Sequence, residues 1–297
     1  METIKSCLTK KTKLLKDNYV KVPKLEARLL LAKTFNKDLN WTYSNTEKKI
    51  STKKIRVYEK LIKQKINRIP TAYLLGNKEF YSMNFKVNRN TLIPRPETES
   101  MIDEIKKNFK KNKKFNILDL GTGSGCILLS ILQEFKKSVG IGVDKYLKTI
   151  NVAKTNSKKN YLSSRSKFIT LDWNNPKFLK KILQANKNFT SRNKFQLIVS
   201  NPPYLLKNEM KSIMQEVKYE PYESLYDNKD GLSFYKMILP KIHSLISSNG
   251  YICFEINPKS SNKINKICKK NGFANFKFIK YLSKKKKIYF DKELIDS

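Results

Sequence analysis

A chain of 297 residues with 39% hydrophobic content is long enough for roughly two domains and a sizeable core. No stretch approaches the ~18–20 consecutive apolar residues of a membrane-spanning helix, so no membrane association is expected. The formal charge of +37 invites a nucleic-acid reading, yet only seven of the 62 basic residues are Arg and none follows Arg192.

Lys, Asn, Ile, Phe and Tyr are all plentiful, as in a protein whose coding sequence is drawn toward A and T. Runs such as 110–114 and Lys284-Lys285-Lys286-Lys287 therefore read as solvated decoration, and no stable nucleic-acid partner is expected. The four cysteines (Cys7, Cys126, Cys253, Cys268) lack Cys-x-x-Cys spacing, and His243 is the single histidine. Neither a metal site nor a disulfide framework follows from them, and His243 reads as a surface residue. Residues 1–7 hold no apolar core for a leader, so the cytoplasm is the expected compartment.

Residues 1–74 show helical spacing (Leu25, Arg28, Leu29, Leu30 and Leu31, then Ile55, Tyr58, Leu61 and Ile62) and contain no glycine. They predict a small helical domain. Residues 75–95 form a linker in which the alternation over 79–88 predicts a β-hairpin. The string Thr91-Leu92-Ile93-Pro94-Arg95-Pro96-Glu97-Thr98-Glu99 then opens a helix, with Pro96 and Glu97 suited to its first turn. Residues 96–297 hold the sheet domain.

Its first strand, 115–120, runs into Gly121-Thr122-Gly123-Ser124-Gly125 and a helix from Cys126. Strand, glycine loop and helix make the first half of a Rossmann-type unit. The third glycine comes one residue too early for a dinucleotide fingerprint, and no Gly-Lys-Ser/Thr follows for a Walker loop. The pattern Asp119-x-Gly121-x-Gly123-x-Gly125 instead resembles class I S-adenosylmethionine-dependent methyltransferases.

The next apolar run, 139–143, ends in Asp144, nineteen residues beyond Gly125. A carboxylate there suits both hydroxyls of a ribose. The run 167–171 leads to Asp172-Trp173; in methyltransferases similar to this chain the residues after the third strand flank the adenine. The run 195–200 ends in Asn201-Pro202-Pro203-Tyr204. Four runs thus end in candidate residues at strand carboxyl ends, where open α/β sheets bind ligands. Later strands are predicted at 250–256, 275–279 and 287–290. Together they imply a Rossmann-like α/β domain with a seven-stranded, mostly parallel sheet.

Two consecutive prolines fix two φ angles and carry carbonyls without N–H groups, so Asn201-Pro202-Pro203-Tyr204 forms a stiff acceptor surface. Such a surface suits a planar –NH2 group gripped by both hydrogens. Both halves of the chain together resemble the peptide chain release factor glutamine N5-methyltransferases. The resemblance runs over about 24–272 and rests on 69–76, Glu79-Phe80-Tyr81, 91–99, 117–125, 201–204, Glu220-Pro221 and 230–235. The string Pro94-Arg95-Pro96-Glu97-Thr98-Glu99 is its most discriminating part. Departures are Asn257-Pro258-Lys259-Ser260, where glycine, an aromatic and glutamine are usual, and the absence of a familiar arginine near Lys284 to Lys287.

The resemblance implies S-adenosylmethionine as cofactor, held by Gly121, Thr122, Gly123, Ser124, Gly125, Asp144, Trp173 and Asn201. It implies class 1 release factors as protein substrates, methylated on the glutamine of their Gly-Gly-Gln motif. That acceptor would be bound by Asn201, Pro202, Pro203 and Tyr204, with Asn201, Pro202 and Tyr204 carrying the catalysis. Methylation of a nucleobase amino group, or of a ribosomal-protein glutamine, is the alternative on the same motif. A basic, non-catalytic ribosome-binding protein is a third reading, which the intact motifs oppose.

Overall fold

The computed structural model describes residues 2–227, 229–273, 276–280 and 286–291. Of the predicted last strands and the lysine run, Asn275, Lys284 and Lys285 lie outside these residues. The chain forms two compact units, Met1–Lys78 with Met214–Tyr219, and Glu79–Ile213 with Glu220–Ser297.

The first unit is helical: α1 Ile4–Asp17, α2 Pro23–Phe35, α3 Trp41–Ser44, α4 Thr52–Ile66 and α5 Thr71–Leu75. Thr3 and Ser51 start α1 and α4 by accepting from the amides of Ser6 and Lys54, and Pro23 opens α2. Ile4, Cys7, Leu8 and Leu15 of α1 meet Ala27, Leu30 and Leu31 of α2 and Tyr58 and Ile62 of α4 in one core. The Tyr58 hydroxyl donates to the Ala27 carbonyl at 2.9 Å, which satisfies it inside that core. Leu25, expected on the buried stripe, is exposed; the fully buried position is Ala27, two residues on. Buried Lys65 reaches Thr71 (2.8 Å), Glu216 (2.9 Å) and Glu26 (3.3 Å), pinning the returning segment 214–219. That segment's membership of the helical unit has no sequence signal.

The boundary between the units falls inside β1 Asn77–Phe80, which pairs with β2 Met83–Lys86. This is the predicted hairpin. Its loop residues Tyr81 and Ser82 both have positive φ (49° and 56°), the twist a two-residue turn requires. The Glu99 side chain accepts from the Tyr81 amide at 3.0 Å and supports the turn. Helix α6 Pro96–Asn108 starts on its proline, as read.

There follow β3 Asn116–Leu120, α7 Cys126–Glu134, β4 Val139–Asp144, α8 Leu147–Lys159, β5 Ser166–Thr170, α9 Phe178–Thr190 and β6 Phe195–Ser200. Then come α10 Lys207–Lys211, α11 Ser233–Leu245, β7 Ile246–Glu255, α12 Ser261–Lys270, β8 Phe276–Lys280 and β9 Lys286–Asp291. The seven-stranded sheet has the order β5-β4-β3-β6-β7-β9-β8. All neighbours are parallel up to β7; β9 runs antiparallel to both β7 and β8.

Alternation places Leu118 and Leu120 on the face covered by α9, α11 and α12. Ile117 points to the face covered by α6, α7, α8 and the hairpin. The strand order reverses between β3 and β6, so their carboxyl ends, Leu120 and Ser200, lie side by side at the switch point. The Ser200 hydroxyl donates to the Leu120 carbonyl at 2.7 Å and locks the two ends together. Residues 110–114 are exposed. His243 is half-buried, not a surface residue: its ring stacks on Phe273 at 4.6 Å and bonds the Asn271 carbonyl at 2.8 Å. Among the described residues no helix is long and apolar enough to cross a membrane.

Candidate active site

The loop after β3 turns on Gly121, Gly123 and Gly125, whose φ values of 70°, 56° and 80° lie in the left-handed region. Thr122 faces inward between them. Its amide donates to the Val143 carbonyl at 2.8 Å and its hydroxyl to Asp119 at 2.6 Å. Burial raises the Asp119 carboxyl to about 7, against an ordinary 3.8. A side chain at Gly125 would press on Phe168, Ala153 and Leu129 at 3.2–3.3 Å.

A cavity of about 310 Å³ opens at the switch point. Of the eleven residues proposed from sequence, it is lined by Gly121, Gly123, Asp144, Trp173, Asn201 and Pro203. Thr122, Ser124 and Gly125 are buried beneath the loop, where they shape its turn, and do not line the cavity. Pro202 is buried behind the rim, and Tyr204 is also absent from the lining.

Asp144 lines the cavity with each carboxylate oxygen held by a backbone amide, Gly123 and Tyr146, at 3.2 Å. Burial raises its acid to about 6, partly offset by the Gly123 hydrogen bond. Trp173 forms an apolar wall, edge-on to Phe234 at 5.3 Å and 3.6 Å from where a Gly121 Cβ would lie. Asp172 is turned away to cap the Asn174 amide. Leu92, Phe234 and Met237 add to the apolar lining.

The Asn201 side-chain amide donates from Nδ2 to Thr98 Oγ1 at 3.3 Å, and Thr98 donates to Glu255 Oε2 at 2.8 Å. Tyr204 donates its hydroxyl to Glu255 Oε1 at 3.0 Å. Burial and the Glu255 charge keep the Tyr204 phenol well above its ordinary value, so it stays a donor. The Tyr204 carbonyl accepts from Asn257 Nδ2 at 3.3 Å. Asn257 opens the segment that departs from the family pattern, and it ties the acceptor loop to Glu209 at 2.9 Å.

Gly231, φ 74°, lies where a Cβ would be 2.9 Å from the same Tyr204 carbonyl, so only glycine permits that approach. Glu220 accepts from the Ile93 amide (2.9 Å) and from Arg95 (2.5 Å), which fixes the 91–99 string along the cavity. Thr98, Glu255, Glu220 and Phe234 stood in motifs or strands of the sequence without any spacing that marked a role for them.

The doubly wound sheet with a glycine-loop cavity at its switch point defines a Rossmann-like methyltransferase-type domain. A family model described as "Methyltransferase domain" matches residues 111–289, and one described as "PrmC N-terminal domain" matches residues 6–76. A solved methyltransferase from Pyrococcus furiosus shares the fold at a TM-score of 0.52 and 17% identity, over 72% of this chain and 91% of that one. The release factor glutamine methyltransferase of Fusobacterium nucleatum is 34% identical over 91% of this chain and 73% of its own length. That of Clostridium botulinum is 32% identical over 89% of this chain and 90% of its own length. The chain belongs to the release factor glutamine methyltransferase family. It also matches the bifunctional methyltransferase of Rickettsia bellii at 34% identity over 85% of the chain, and spans about half of that relative's length (48%).

Proposed function

We propose that the chain methylates the side-chain amide nitrogen (N5) of a protein glutamine, with S-adenosylmethionine as methyl donor. The acceptor is the glutamine in the Gly-Gly-Gln motif of class 1 peptide chain release factors, which places the protein in translation termination and in the cytoplasm. The observation that carries the reading is the Asn201 amide, whose nitrogen is committed to Thr98 and whose oxygen, without a hydrogen-bond partner among the described residues, can accept from a ligand.

The cavity fits the donor. Its volume lies at the small end of ligand sites. Gly121 and Gly123 leave backbone open to a ligand, Asp144 suits a ribose diol, and Trp173 offers a flat apolar wall to adenine. When bound, the cofactor supplies a methyl group on a sulfonium, a leaving group that needs no nucleophilic residue.

A glutamine nitrogen shares its lone pair with the carbonyl and is a poor nucleophile. Asn201 Oδ1 and the Pro202 carbonyl would accept its two N–H groups, orient the lone pair and stabilise the positive charge that develops. Pro203 borders the slot around the amide, and Tyr204, bonded to Glu255, holds the loop that carries it. The nitrogen takes the methyl group and releases one proton to water, so no dedicated base is required. The helical unit supplies substrate contacts remote from the chemistry, so whole release factor should outperform a short Gly-Gly-Gln peptide in kcat/KM.

The test is incubation of the full chain with labelled S-adenosylmethionine and purified release factors, followed by peptide mass spectrometry. A methyl group on that one glutamine is expected. Label on a nucleobase, with the glutamine untouched, would overturn the reading.

Replacing Asp144 with Ala should weaken cofactor binding by about 1–3 kcal/mol through lost charge-assisted hydrogen bonds. Calorimetry showing unchanged affinity would remove Asp144 from the site. Its acid is raised from 3.8 to about 6, so the folded state favours the proton. The associated stability is present below pH 3.8 and lost as pH rises through about 6. Ribose recognition needs the ionised form, so cofactor affinity should plateau above pH 6 and fall below it. A flat affinity between pH 5 and 7.5 in the wild type (~2.5 units around that value) would contradict this.

The lysine charge predicts a different behaviour. Binding to nonspecific nucleic acid should be weak, steeply salt-dependent and gone near physiological ionic strength. Sequence-specific binding that survives there would favour nucleobase methylation instead.

A further inference from the structure

Glu255 lies at the end of β7, fully buried, 157 residues along the chain from Thr98, to which it is hydrogen-bonded. Its two oxygens accept from two hydroxyls, Thr98 and Tyr204, and each belongs to a residue tied to the Asn201-Pro202-Pro203-Tyr204 loop. A carboxylate has no hydrogen to give, so the direction of both bonds is set. Thr98 has a single hydroxyl hydrogen, given to Glu255, and must therefore accept from Asn201. That in turn obliges Asn201 to turn its –NH2 toward Thr98 and its oxygen toward the acceptor.

We propose that Glu255 is a positioning residue: through Thr98 it fixes which end of the Asn201 amide faces the substrate. The inference rests on the methyl-transfer reading above. An asparagine amide has nearly equal shape in its two orientations, so packing alone discriminates them poorly. The flipped form would present two N–H groups to the N–H groups of an incoming glutamine and would leave only the Pro202 carbonyl to accept from the nitrogen on which charge develops. A buried carboxylate acting two bonds away removes that degeneracy before substrate arrives. The same carboxylate holds the Tyr204 ring, so the loop is anchored at both ends by one group.

Glu255→Gln is the decisive variant. It is isosteric, but its amide can donate to Thr98, which frees the Thr98 hydrogen to swing toward Asn201 and reverses the chain of bonds. In the full chain, kcat for release factor should fall ~10–100-fold while cofactor affinity stays within ~3-fold, on the scale of one misplaced transition-state partner. Thr98→Val should show the same split, and Thr98→Ser, which keeps the hydroxyl, should recover most of the rate. The double variant Glu255→Gln with Thr98→Val should be no worse than the poorer single, because both break one relay.

A wild type that methylates release factor, with Glu255→Gln at full kcat, overturns the inference alone. A wild type that modifies no release factor overturns the functional reading instead. The relay is then still tested by side-chain NMR of selectively 15N-labelled asparagine. The Asn201 –NH2 resonances, identified by their loss in Asn201→Ala, should move in Glu255→Gln and in Thr98→Val. Unmoved resonances in both would refute the relay whatever the substrate. Should Glu255→Gln not fold, the comparison of Thr98→Val with Thr98→Ser carries both readouts.

Discussion

Asn201→Ala should lower the rate of glutamine methylation by on the order of 100-fold, about 3 kcal/mol, by analogy with loss of one oxyanion-hole donor. The substitution removes one of two acceptors aimed at the –NH2 group, and the one whose direction is fixed by Thr98 and Glu255. The effect belongs to the transition state, because positive charge on nitrogen exists only as the methyl transfers. Both kcat and kcat/KM should therefore fall together. Cofactor affinity should change less, since Asp144, Trp173 and the glycine loop remain. Asn201→Asp sharpens the test. It keeps an acceptor but cannot donate to Thr98, and it sets a second carboxylate near Glu255, so it too should lose most activity. Single-turnover rates within ~3-fold of wild type for Asn201→Ala would remove this residue from the chemistry.

The site was legible in the sequence wherever the chain's local chemistry demands particular residues. Left-handed backbone needs glycine, and so Gly121, Gly123 and Gly125 announce a loop. Asp144 and Asn201 are legible because a polar residue at the end of a wholly apolar strand has few structural reasons to be there. The sheet itself followed from strand runs of the expected length, and the hairpin and the start of α6 at Pro96 from alternation and the proline.

The glycine loop also shows the limit of such reading. Consecutive loop residues face opposite ways, so Thr122 and Ser124 point into the protein while Gly121 and Gly123 border the cavity. Spacing alone does not assign direction. Thr98 and Glu255 are a harder case: a buried hydroxyl and a buried carboxylate are recognisable only once β7 and α6 are side by side. Segment 214–219 is harder still. Its anchor, Glu216 on Lys65, joins positions 151 residues apart with no pattern linking them.

Gly142→Val should destabilise the sheet domain by about 3 kcal/mol or more, the upper range for overpacking a core. Gly142 lies in β4 between Asp119 of β3 and Phe168 of β5. A Cβ there would sit 2.6 Å from Thr122 Oγ1 and 2.7 Å from the Phe168 ring, both inside contact distance. Neither neighbour can yield cheaply. Thr122 is held by Asp119 and by the Val143 carbonyl, and the Phe168 ring lies against the position a Gly125 side chain would take. Pushing Thr122 outward also shifts Gly121 and Gly123 at the cavity wall, so cofactor affinity should fall with stability. For a chain of this size the thermal midpoint should drop by roughly 6–12 °C, given ~2–4 °C per kcal/mol. The cause is identified by a second site: Phe168→Leu removes part of the crowding ring and should restore part of the loss in the double variant, although alone it destabilises. A Gly142→Val protein with an unchanged midpoint would mean that β4 and the loop relax together, and that the glycine loop is not braced from below as described.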